Sequence, residues 1–112
     1  MTVARRLWRR SPVTRVEVRG DSMRPALEPG DRLLVVRARA PRLGDVVAFP
    51  DPRLPARTML KRVMAREPGG LTVLGDNRAA STDSRTYGPV DPSTVRGRAL
   101  YRYFPDSRRG RL

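Results

Sequence analysis

Eleven prolines and nine glycines interrupt a chain of 112 residues, and this punctuation constrains the fold more than any other feature. Proline removes a backbone donor and fixes φ, while glycine is costly inside a regular element, so each tends to end one. What survives between them is a series of short apolar stretches. "TRVEVRG" (14–20) alternates polar and apolar residues as a half-buried strand does. "RLLVVRARA" (32–40) begins as a buried strand and ends in alternation. "LGDVVAF" (43–49), "TMLKRVMARE" (58–67), "LTVL" (71–74) and "VRGRALYRYF" (95–104) are further strands, with "PDPRLP" (50–55) a loop and "EPGG" a turn. The pattern predicts a mainly β, compact antiparallel fold. Residues 1–15 read as a basic, poorly ordered arm, 16–104 as the folded domain and 105–112 as a frayed basic tail.

Composition narrows the chemistry. The chain has neither cysteine nor histidine. That excludes disulfide frameworks, thiol nucleophiles, zinc sites of the usual kind and any Ser-His-Asp triad. Serine, threonine, lysine, tyrosine and carboxylates remain. No apolar run approaches the roughly 18 residues of a membrane span. The basic start leads to no apolar signal core, so the chain reads as cytoplasmic or attached to a membrane surface. A net charge of +13 fits a nucleic-acid partner, an anionic membrane or an acidic substrate. Two Phe, three Tyr and one Trp offer few stacking platforms, which weighs against nucleic acid. Trp8, among arginines, fits either a membrane interface or a solvated tail.

Against 23 arginines the sequence keeps a single lysine, Lys61. Arginine is effectively never deprotonated in a protein, whereas a buried lysine can lose its charge and act as a base. Period-2 alternation puts Lys61 on one face with Met59 and Val63, a dry setting that disfavours the ammonium. Taken alone, Lys61 better fits a lysine snorkelling at a strand edge, since lysines are seldom buried. Ser22, in "VRGDSMRP", lies just past a strand where a hydroxyl can project and backbone amides can hold an oxyanion. Asp21 or Ser22 could instead simply cap a turn. "GDNRAASTDSRTYGPV" (75–90) is long for a connecting loop, and loops of that length are often functional. Within it Asp83 and Arg85 can pair, and Ser81 can hydrogen-bond to a nearby group.

Together, "GDSMRPALEPGD", "KR" and "GDNRAASTDSRTYGPV" resemble, in this order, the conserved boxes of type I signal peptidases. That family uses a Ser/Lys dyad on a mostly β fold shared with self-cleaving repressor proteases. The resemblance spans roughly residues 16–104. It implies Ser22 as nucleophile and Lys61 as general base, with Ser81 positioning the lysine amine and Asp83 and Arg85 supporting the site. Met23 follows the nucleophile as the pattern requires and is a candidate substrate contact. The Ser22 amide becomes one oxyanion donor. Gly20 stands where some members carry a serine whose hydroxyl is the second, so here that hydroxyl is missing.

By the same resemblance the partner is a precursor protein with an N-terminal leader, read as an extended peptide with small residues before the cut. Neither cofactor nor metal is implied. Its small size makes the chain most similar to the span-free proteases that mature nickel-type superoxide dismutase. Two other readings stand beside this one. A self-cleaving repressor-type protease shares the dyad but normally carries a DNA-binding domain. A non-enzymatic arginine-rich module would bind nucleic acid or anionic lipid with steep salt dependence.

Overall fold

The computed structural model describes residues 2–4, 12–37 and 40–112. Eight strands form one antiparallel sheet: β1 (Thr2–Ala4), β2 (Val13–Val18), β3 (Arg32–Val36), β4 (Val46–Asp51), β5 (Leu54–Glu67), β6 (Gly70–Leu74), β7 (Gly97–Phe104) and β8 (Gly110–Arg111). The spatial order is β1-β2-β3-β7-β4-β5-β6, with β8 added on β7. Because β1 also pairs with β5, through Thr2 and Thr58, the sheet closes on itself.

The inward alternation seen in the sequence is what buries the core. Val16 and Val18 of β2, Leu33 and Val35 of β3, Leu60 of β5 and Ala99 of β7 form one apolar cluster with Met23 and Leu27. A second cluster joins Val47, Phe49, Met59, Val63, Leu71, Val73 and Val90, with Tyr87 and Val95 packed against it. Strand β4 serves both: Val46 and Ala48 enter the first cluster, Val47 and Phe49 the second. A strand covered on both faces reads as a continuous apolar run, which is why "VVAF" lacks alternation.

Strand β5 is the longest element and changes partners along its length. Val46 to Pro50 of β4 pair with residues 58–62 on one edge. On the other edge β6 pairs from Arg62 to Glu67, and β1 reaches Thr58. Lys61 sits at this hand-over.

Three readings from the sequence need correcting. "PDPRLP" is not a loop: Pro50 and Asp51 end β4, Leu54 and Pro55 begin β5, and only Pro52 and Arg53 turn. A register shift between Pro50 and Asp51 accommodates the prolines, as bulges in strands do. Residues 105–112 are not frayed, because β8 pairs with β7 and Arg108 reaches the buried Asp31 at 2.8 Å. The arm over 1–15 is not wholly irregular either, since Thr2–Ala4 form β1 and β2 starts at Val13. Arg5, Arg6, Trp8, Arg9 and Arg10 of that arm lie outside the described residues.

Candidate active site

Lys61 lies opposite Val47 of β4, flanked on its own face by Met59 and Val63 of the second cluster. It is 3% exposed. Burial withdraws water from the ammonium and lowers its pKa from the ordinary 10.5 to about 8. The carboxylates Asp83 and Asp51 pull in the opposite direction, and Arg85 adds to the lowering. About a tenth of such amines are neutral at pH 7, so a base is present at neutral pH without being permanently uncharged. An arginine in this place would supply no base.

Asp83 organises the surroundings. It is fully buried and accepts from the Gly75 amide at 2.9 Å, the Ser81 hydroxyl at 2.7 Å and the Arg85 guanidinium at 2.9 and 3.1 Å. It also caps helix α1 (Ser84–Tyr87) by accepting from the Arg85 amide. Burial by itself raises a carboxyl pKa, but these donors, led by the Arg85 side chain, hold Asp83 well below the usual range. Arg85 in turn donates to the carbonyls of Arg78 and Ser81, which pins the loop ahead of the helix. The carboxylate stays ionised beside a weakened ammonium.

Ser22 is half-buried in the turn after β2. Its carbonyl accepts from the Asn77 amide at 2.9 Å, and the Asn77 side chain donates to the Asp21 carbonyl at 3.1 Å. The Ser22 turn is therefore stitched to the loop that holds Asp83. Gly75 is where they meet. A Cβ there would fall 2.2 Å from Ser81 Oγ and 2.7 Å from the Ser22 carbonyl oxygen, so only glycine fits without displacement. Gly20 has φ of 77°, a conformation that strains a serine. Backbone geometry thus accounts for glycine at the place where some members of the resembled family carry a hydroxyl.

The structure joins the three stretches singled out in the sequence: the Ser22 turn, the Lys61 strand and the loop bearing Ser81, Asp83 and Arg85. Met23 goes elsewhere. It is 2% exposed as a member of the first core cluster, so it anchors the turn and presents no open surface to a peptide. Four contributors escaped the sequence reading. Gly75 and Asn77 lie inside the quoted box, where "GDN" signals a tight approach. Asp51 looked like a loop residue but is fully buried, bonded to Arg53 at 2.8 Å and felt by Lys61. Tyr87 packs on the second cluster, and burial with the Asp83 and Asp51 charges raises its pKa.

The sequence matches the family described as signal peptidase, peptidase S26, over residues 2–70 and 66–104. A probable signal peptidase I-1 of Synechocystis is 31% identical, over 82% of this chain and 71% of that protein. The mitochondrial ATP-independent inner membrane protease subunit 1a of Arabidopsis thaliana is 32% identical, over 89% and 76%. The mitochondrial inner membrane protease subunit 2 of Mus musculus is also 32% identical, over 89% and 71%.

Proposed function

The chain belongs to the signal peptidase family, peptidase S26, whose members are serine peptidases, and from that premise we propose that it removes N-terminal leaders from precursor proteins with Ser22 and Lys61 as its dyad. The observation that carries this reading is the single lysine, 3% exposed, its pKa brought to about 8 beside a pinned carboxylate. In the neutral form Lys61 takes the Ser22 proton as the hydroxyl oxygen attacks the scissile carbonyl. The Ser22 amide donates to the oxyanion. Lys61 then protonates the leaving amine and later activates the water that hydrolyses the acyl-enzyme. Ser81 and Asp83 hold the lysine in place, and Arg85 holds Asp83. With no hydroxyl at Gly20, one oxyanion donor of the family is missing, and such a donor is typically worth about 10²–10³ in rate.

The leader enters as an extended strand with small residues before the cut, read by backbone pairing. A nickel-type superoxide dismutase precursor is one specific substrate of this class that the proposal covers. The work is done at a membrane surface. Two relatives are named as inner membrane proteases, and the net charge of +13 favours anionic headgroups. Among the described residues no helix is long and apolar enough to cross a membrane.

Mass spectrometry of leader peptides with small residues before the junction tests the proposal, with the dismutase precursor included. A single cut by the wild type, absent in Ser22→Ala and Lys61→Arg, is expected. A cut that survives Lys61→Arg refutes the dyad. Cleavage of the chain itself, with no peptide cut in trans, points instead to a repressor-type self-cleaving protease.

A further inference from the structure

Strand β1 lies between the two strands that deliver the proposed dyad. Its residues pair antiparallel with β2, Thr2 with Val18, Val3 with Glu17 and Ala4 with Val16, and β2 leads directly into the Ser22 turn. Thr2 also pairs with Thr58, three residues before Lys61. Beyond Thr58, the edge of β5 that faces away from β4 has no described strand partner until β6 begins at Arg62. The gap between β2 and β5 is therefore a two-sided slot for an extended backbone, closed at one end by the chain's own residues. Pairing of this kind is sequence-tolerant, because main-chain groups supply the affinity.

We propose that Thr2–Ala4 act as a built-in competitor that a leader displaces when it binds. This rests on the peptidase reading given above. Direction explains why the segment would block without being cut. A leader with its residues before the junction along β2, and its scissile carbonyl at Ser22, runs the same way as β2. Strand β1 runs the opposite way. It fills the slot in reversed polarity, with its amino-terminal end toward Ser22, and so brings no carbonyl in the productive sense.

A reversible lock tests this in the intact chain. Val3 and Glu17 are register partners, and facing positions in an antiparallel pair have Cα atoms about 4.5–5.5 Å apart, within disulfide reach. The protein has no cysteine, so Val3→Cys with Glu17→Cys forms a unique crosslink. The oxidised protein is expected to cleave a leader peptide at least tenfold more slowly than the same protein after reduction, and its own mass stays unchanged. Equal cleavage in both states overturns the competitor role and leaves the peptidase reading intact. If neither state cleaves although urea unfolding shows the doubly substituted protein to be folded, the peptidase reading and the competitor role that rests on it both fail.

Discussion

Replacing Lys61 with methionine separates what the lysine does for chemistry from what it costs the fold. The side chains have similar length and volume, and Met59, Val63 and Val47 already provide an apolar setting. Lowering the amine from 10.5 to about 8 means that the folded chain carries the charged form at a cost. At about 1.4 kcal/mol for each tenfold change in proton affinity, that cost is about 3 kcal/mol. The folded chain releases the proton near pH 8 and the unfolded chain near 10.5. Between those values the unfolded state holds more protons, so stability climbs with pH. Below pH 8 both states are charged and the whole cost applies. Above 10.5 it is gone. Lys61→Met is therefore expected to be more stable than the wild type at pH 7, by up to about 3 kcal/mol. The advantage shrinks through pH 8 to 10.5, while cleavage is lost at every pH. Urea unfolding of both proteins across pH 6–11 measures it. A variant no more stable than the wild type at pH 7, or one whose pH curve runs parallel to it, refutes the claim that Lys61 is held against its charge.

The wild-type kcat/KM is expected to rise with pH and level off above about 8, as the neutral amine becomes the main form. Asp83→Asn removes a charge that supports the ammonium, so the rise moves to lower pH, while weakened bonds to Arg85 cost about 2–3 kcal/mol in urea unfolding. Gly75→Ala forces the Ser22 turn and Ser81 apart and is expected to lower kcat at least about tenfold; unchanged steady-state rates would contradict the close approach. Arg108→Ala leaves the buried Asp31 with Arg102 and the Glu28 amide as donors and costs about 1–3 kcal/mol, read by thermal unfolding with cleavage retained.

Local signals in the chain reach as far as the elements and the three stretches that build the site. The alternation of "TRVEVRG" reports which residues face inward because one-sided burial imposes a period of two. In "TMLKRV" both faces are covered, with Leu60 in one cluster while Met59, Lys61 and Val63 share the other face. Ser81, Asp83 and Arg85 were recognisable as a group because they are close in sequence and bond locally. The rest depends on distant partners. Nothing near Arg108 announces a carboxylate 77 positions away, so the last residues resembled a loose tail. Three prolines made 50–55 look irregular, although a bulge lets them join a hairpin. Met23 illustrates the converse: adjacency to Ser22 suggested contact with substrate, and packing sends its side chain into the core.

A protein with one lysine in the whole chain carries its own spectroscopic reporter. Growth on isotopically labelled lysine would place a single side-chain amine signal in the nuclear magnetic resonance spectrum, and that signal belongs to Lys61. Its chemical shift, followed through pH 8, reads the protonation of the proposed base directly, without substitution, inhibitor or substrate. Adding a leader peptide to Ser22→Ala would then show how a bound strand changes the amine's affinity for its proton.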